Sequence, residues 1–231
     1  MREIVTAPVE YPGNGNAGVG YLARPKQSAG PGVVVIQEWW GLEAHIKDVT
    51  ERFAREGFVA LAPDLYHGKS TSEPDEARKL AMELDRPRAI GEIAGAARYL
   101  KSLVEVAPKK VGVVGLCMGG GLAFAVAHAT REFNAAVGFY GRPPADDETA
   151  GLTCPVLGLF GEADGGIPPA LAELFRAALI QHGKPHEVHV YPGALHAFFN
   201  DSRPHIYQAD AAQDAWKRTL RWFEVHLKRD A

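Results

Sequence analysis

Apolar positions along the chain fall into two regimes: short unbroken runs, and longer segments in which they recur every three or four residues. Residues 3–9 and 19–24 flank the turn sequence Pro12-Gly13-Asn14-Gly15-Asn16 and predict an opening antiparallel hairpin. Residues 32–37 read Gly-Val-Val-Val-Ile-Gln, the run expected of a strand covered on both faces. Ile46, Val49 and Phe53 share one face of a predicted helix that stops at Gly57, and residues 58–62 predict the next strand, ended by Pro63. Residues 73–103 predict one broken helix or two consecutive ones, interrupted near Pro87. A central strand follows at 110–116 and its helix at 119–130. Residues 135–140 and 155–160 supply two more strands, and Leu171, Leu174, Phe175 and Ala178 mark a helix between Pro169 and His182. Residues 187–191 are the last predicted strand, and Trp216, Leu220, Phe223 and Leu227 form an apolar stripe on a closing helix. Strands alternating with helices predict an α/β domain over residues 1–231, with a mainly parallel central sheet and helices on both faces. In such sheets ligands bind beyond the carboxyl ends of the strands.

Composition narrows the function classes. At 231 residues one domain can bury roughly 70–75% of its unfolded surface, so neither disulfide nor metal is required for stability. The formal net charge of −3 argues against a nucleic-acid partner, which calls for a concentrated basic face. Two cysteines, Cys117 and Cys154, do not make a secreted disulfide scaffold. The stretch 111–129 holds no formally charged residue and is nearly long enough for a membrane span, but it carries Gly112, Gly115 and Gly119-Gly120-Gly121. A buried strand running into a buried helix explains it better. With no basic start and apolar core at the N-terminus, the chain is expected to be soluble and cytoplasmic.

Three strand ends carry unusual chemistry. In Gly115-Leu116-Cys117-Met118-Gly119-Gly120 a strand passes directly into a helix, the nucleophile-elbow pattern with cysteine in the serine position. A helix N-terminus favours the thiolate, and the Met118 amide can stabilise an oxyanion. A glycine-rich phosphate loop, or a tight turn holding an inert thiol, also fits this segment by itself. Asp164 follows the strand ending at Phe160 and would be a turn or helix cap if read alone. His196 lies on a small-residue loop past the last strand. Of the nine histidines, His189 alternates with Val188 and Val190 inside a strand, and His182, His186 and His226 lie among charges. The order nucleophile, acid, histidine is that of α/β-hydrolases, each member following its own strand. The conjunction identifies Cys117, Asp164 and His196 as a catalytic triad.

These residues, with Gln37-Glu38 before an aromatic pair and Gly41, Pro63-Asp64-Leu65-Tyr66 and Phe139-Tyr140-Gly141, resemble the dienelactone hydrolase (carboxymethylenebutenolidase) family over nearly the whole chain. The resemblance implies that Glu38 engages the resting cysteine and that the Trp39 amide is the second oxyanion donor. A carboxylate ending a buried apolar strand needs such a reason, although a loop salt bridge would also supply one. The family grips a substrate carboxylate with arginines, one shortly after the catalytic histidine. Here that stretch reads Ala197-Phe198-Phe199-Asn200-Asp201-Ser202-Arg203, with Asn200 near the expected arginine. Arg203 and Arg142 remain as substrate-binding candidates; either could be a solvated surface charge.

The expected function is hydrolysis of a small-molecule ester or lactone through a thioester on Cys117. A broad carboxylesterase or thioesterase on the same scaffold is the nearest rival. A non-catalytic small-molecule receptor would have no need of all three triad residues, and a redox or phosphate-binding protein would give His196 no role. No histidine, cysteine and carboxylate cluster has metal-ligand spacing, so no metal or organic cofactor is implied. No membrane or nucleic-acid partner is expected. The sequence does not set the oligomeric state, and a monomer is compatible with it.

Overall fold

The computed structural model describes residues 2–13, 15 and 17–228. Asn14 and Asn16, both in the expected hairpin turn, lie outside the described residues. The chain divides into two compact units, Met1–Val113 and Val114–Ala231.

In the first unit, β1 (Ile4–Pro12) and β2 (Ala17–Pro25) pair antiparallel, in register from Ile4 opposite Pro25 to Pro12 opposite Ala17. They are followed by β3 (Gly30–Ile36), α1 (Ala44–Arg55), β4 (Val59–Pro63), α2 (Pro74–Glu83) and α3 (Arg86–Ser102). Strand β5 (Val106–Leu116) begins in this unit and ends in the second. β2 pairs β4 antiparallel and β3 pairs β4 parallel, giving the order β1-β2-β4-β3. Every residue of β3 and β4 is buried, as the unbroken apolar runs require, and both α1 and α3 pack on these strands.

The segment 73–103 resolves into two helices that part at Leu84 and Asp85, both extended. Pro87 does not interrupt a helix. It stands in the first turn of α3, where no intrahelical bond is lost by its missing N–H. Asp85 caps that turn, its Oδ1 accepting the Arg88 amide at 3.1 Å. Asp85→Ala is expected to lower stability by about 1 kcal/mol in chemical denaturation while leaving turnover unchanged.

The second unit contains α4 (Met118–Ala129), β6 (Ala135–Phe139), a short α5 (Asp146–Ala150), β7 (Val156–Gly161), α6 (Pro169–Gln181), β8 (His186–Tyr191) and α7 (Ala209–Phe223). A π-helical turn, Glu224–Lys228, continues α7. β6, β7 and β8 are parallel neighbours, with Ala136 beside Val156 and Val156 beside His186. Helices α4 and α7 pack on β6, and α6 packs on β7 and β8. The uncharged stretch 111–129 is thus the end of β5 and the whole of α4. Among the described residues no helix is long and apolar enough to cross a membrane.

The helix expected between Pro169 and His182 is α6; it buries Ala172, Phe175 and Leu179 and leaves Leu174 66% exposed, so of the four residues that marked it only Phe175 is buried. The Phe175 ring packs 5.1 Å from that of Phe124 of α4. The stripe on α7 is met in part: Phe223 and Leu227 are fully buried, while Trp216 and Leu220 are half-buried.

Candidate active site

Strand β5 ends at Leu116 and α4 begins at Met118, so one residue makes the whole turn between them. Cys117 takes it with φ 55° and ψ −116°, a conformation that side chains rarely adopt and that persists only where surrounding structure enforces it. The enforcement is backbone on both sides. The Cys117 amide donates to the Phe139 carbonyl at 3.0 Å, and the Cys117 carbonyl accepts the Gly120 amide at 2.9 Å. Gly115 and Gly120 allow the close approach: a methyl on Gly115 would overlap the Gly119 carbonyl, and one on Gly120 would lie 2.7 Å from the Phe139 oxygen. Met118 is the first residue of α4, where the amide points along the positive end of the helix dipole.

Asp164 lies in the turn after β7 and is 4% exposed. Its two oxygens have different partners. Oδ1 caps the turn, accepting the Gly166 and Ile167 amides at 2.7 and 2.9 Å. Oδ2 lies 2.7 Å from His196 Nδ1. Burial alone would raise the carboxyl pKa; the hydrogen bonds from His196 and the Ile167 amide, with the imidazolium charge, outweigh it and hold the group below its ordinary value.

His196 stands in the loop beyond β8 with Nε2 3.1 Å from Cys117 Sγ. Its Nδ1–H donates to Asp164, which fixes the tautomer and turns Nε2 toward sulfur. Burial works against the imidazolium, but hydrogen bonds to Asp164 and Cys117 and the charges of both raise the pKa to about 10. The three residues expected from the sequence are therefore in continuous hydrogen-bonding contact inside the second unit. His189 is elsewhere: its Nε2 lies 3.0 Å from Glu187 Oε2 and 3.0 Å from Arg218 Nη1, in a partly exposed ionic cluster on β8 and α7.

Sequence reasoning missed the wall behind the histidine. Tyr140 is fully buried, with its ring centroid 5.2 Å from that of His196 and 5.4 Å from that of Phe198. Tyr140 has φ 38° and Ala197, the residue after the histidine, φ 64°. No local pattern announces a positive φ at a tyrosine or an alanine, so the only available signal was the Phe139-Tyr140-Gly141 strand end.

The other candidates are distributed as follows. Glu38 and Trp39 follow β3 in the first unit, Glu38 buried and Trp39 half-buried, edge-on to Trp40 at 5.0 Å. The preceding Gln37 accepts the Leu65 amide at 3.1 Å, and the Trp40 carbonyl accepts the Thr71 amide at 3.0 Å, so this strand end is tied to the loop after β4. Arg142 is exposed just beyond β6, and Arg203 is half-buried in a turn whose amide donates to the Asn200 carbonyl at 3.2 Å. Asn200 is fully buried, with Oδ1 accepting the Ser202 amide at 3.1 Å and the Ser202 hydroxyl at 2.5 Å. It builds the loop in the place where a binding cation was expected. Cys154 is buried at the start of β7, the end of the strand remote from Asp164, and burial pushes its thiol up to about 12. Among the described residues, no group of three or more histidines, cysteines and carboxylates could hold a metal ion.

Comparison with known proteins agrees with this architecture. Residues 19–227 match the model of the dienelactone hydrolase family. A protein of Aquifex aeolicus provisionally named carboxymethylenebutenolidase is 36% identical over 228 residues, covering 95% of this chain and 98% of its own. The crystal structure of a provisionally named dienelactone hydrolase from Klebsiella pneumoniae superposes with a TM-score of 0.88 at 31% identity, covering 96% of this chain and 98% of that one. An acylaminoacyl peptidase from Pyrococcus horikoshii shares the fold at a TM-score of 0.78 and 12% identity, covering all of this chain and 43% of its own. With strand-end chemistry, sheet and family match in agreement, the chain belongs to the dienelactone hydrolase family, enzymes of the α/β-hydrolase fold that cleave esters and lactones.

Proposed function

We propose that Cys117, His196 and Asp164 form the catalytic triad of this hydrolase, and that residues 1–231 work as one catalytic domain. The observation that carries the proposal is the bridging imidazole, 2.7 Å from Asp164 and 3.1 Å from Cys117. His196 takes the thiol proton, giving a thiolate–imidazolium pair steadied by Asp164. The thiolate attacks the substrate carbonyl, and the developing oxyanion is held by backbone amides, that of Met118 among them. The imidazolium returns its proton to the departing alkoxide or enolate oxygen, leaving a thioester on Cys117. Water that has given its proton to His196 then opens the thioester and frees the acid. Thiolate is a better leaving group than an amine anion, so esters, thioesters and enol lactones suit this chemistry and peptides do not. The roles of Glu38 at the resting cysteine and of the Trp39 amide as second donor rest on the family resemblance alone. Two free cysteines and a net charge of −3 support a cytoplasmic enzyme that acts on small molecules, with neither nucleic acid nor membrane as partner.

The test is intact mass and peptide mapping after brief exposure to an activated acyl ester. An added acyl group confined to the Cys117 peptide is expected. Acylation elsewhere, or turnover with no acyl adduct under rapid quenching, would count against the thioester route.

Asn200 supports a second reading, a broader carboxylesterase. A fully buried amide that builds its own loop supplies no cation for a substrate carboxylate. If Arg142 or Arg203 fills that role, replacing the relevant one by alanine should lower kcat/KM for an anionic enol lactone about tenfold or more, since charge-assisted contacts are worth about 1.5–3 kcal/mol. Turnover of a neutral aryl ester should change little. An unchanged ratio between the two substrates in both variants favours the carboxylesterase.

A further inference from the structure

The loops that carry Asp164 and His196 are joined by more than the bond between those two side chains. The Glu162 amide donates to the Tyr191 carbonyl at 3.0 Å, and the Ala163 amide donates to the Ala194 carbonyl at 2.9 Å. The same Tyr191 carbonyl accepts the Ala194 amide at 3.2 Å, closing a four-residue turn through Pro192 and Gly193. Proline second and glycine third, the latter at φ 65°, is the arrangement of a type II turn. In such a turn the amide of the third residue points away from the closing bond and needs an acceptor from outside. Glu162 provides it: Oε2 accepts the Gly193 amide at 2.9 Å.

We infer that Glu162 is a positioning residue for the reaction, its carboxylate clamping the Pro192-Gly193 turn and so fixing the direction from which His196 meets Asp164 and Cys117. The inference rests on the triad reading above. The geometry is economical: Glu162 sits two residues before the acid, and Gly193 three before the histidine. One side chain therefore adds a third tie, beside the two backbone bonds, between the loops whose tips must stay 2.7 Å apart. Glu162 is itself exposed, and its carboxylate meets the Gly193 amide rather than Cys117 or His196, so its influence is exerted through the backbone. Two further bonds hold the base of the same loop. The Gln208 amide donates to the Phe198 carbonyl at 3.0 Å, and the Tyr191 hydroxyl donates to Asp214 at 2.9 Å. They anchor the loop to the α7 side, as does the Gln208 side-chain amide, which donates to the Pro192 carbonyl at 3.4 Å; the Gly193 amide is held by Glu162.

The test compares Glu162→Ala and Glu162→Gln with wild type, with Cys117→Ala in the same ester assay. A single hydrogen bond of this kind corresponds to about a threefold to tenfold loss, and Glu162→Ala is expected to lose that much in kcat with KM unchanged. Because a looser Asp164 contact supports the imidazolium less well, the alkaline limb of its pH profile should move to lower pH. The downfield Nδ1–H proton resonance of His196 should broaden or vanish. Glu162→Gln keeps an acceptor oxygen and should restore all three readouts. Wild-type kinetics in Glu162→Ala, a lowered melting temperature with no kinetic or pH effect, or equal damage in Glu162→Gln would each overturn the inference while Cys117→Ala stays inactive. Turnover persisting in Cys117→Ala would instead show that the triad reading beneath it is at fault.

Discussion

Replacing Cys117 with alanine is expected to abolish ester hydrolysis, a loss on the order of 10⁴-fold or more in kcat, because no other group in the elbow can form the acyl bond. Cys154→Ala should retain most of the activity. The two thiols differ in burial and in neighbours. Cys117 lies at a helix N-terminus with an imidazole 3.1 Å from sulfur. Cys154 is 7% exposed, its thiol is pushed up to about 12 by burial, and it occupies the opposite end of a strand. Brief treatment with iodoacetamide near neutral pH should accordingly label Cys117 alone and remove activity in proportion to labelling. Turnover that survived complete alkylation of Cys117, or a Cys117→Ala variant near wild type, would defeat the assignment.

The second large effect concerns the imidazole and its carboxylate. His196→Ala should lower kcat by about 10³–10⁴-fold, since both acylation and deacylation pass a proton through this ring. Asp164→Asn should cost about 10²–10⁴-fold, because the amide can present its N–H to Nδ1 and favour the wrong tautomer. His189→Ala, in the surface cluster, is the control; equal losses at positions 189 and 196 would mean that the wrong histidine had been chosen. Stability carries an independent signature. The pKa of His196 is raised from its ordinary 6.5 to about 10, so its stabilising contribution is complete below pH ~6.5 and is lost as pH rises through about 10. That of Asp164 is lowered from 3.8, so its contribution is present above pH ~3.8 and is lost as pH falls through the depressed value. The gap in melting temperature between wild type and His196→Ala should therefore be widest near pH 4–6.5 and narrow steadily toward pH 10. A gap that widened with pH would reverse the sign and refute the ion pair.

Much of this was legible in one dimension because it depends on local rules. The run Val33-Val34-Val35-Ile36 demands burial on both faces wherever it sits, and β3 is buried throughout. The glycines around Cys117 mark a tight turn, and in the elbow observed neither Gly115 nor Gly120 has room for a side chain. Chain order pointed to Asp164 and His196, since a parallel sheet puts the residue after each strand at one edge.

What the tertiary structure decided is whatever depends on two segments meeting. On α6 the apolar period marks a helix but not its inward face: Leu174, one of the residues that marked it, is exposed, while Phe175 packs on Phe124 of α4. Asp164 could be a cap or an orienting acid in the sequence; in the fold Gly166 and Ile167 approach one oxygen and His196 the other. Asn200 stands near a position expected to bind substrate, and only its burial with Ser202 shows that it serves the loop. Tyr140 takes a left-handed φ that no propensity predicts, imposed where its ring is enclosed between His196 and Phe198. Period, turn chemistry and chain order belong to the sequence because they act between near neighbours. Which face is buried, which oxygen meets which donor and where strain is tolerated belong to the fold, because the partners in each case are separated along the chain and adjacent only in space.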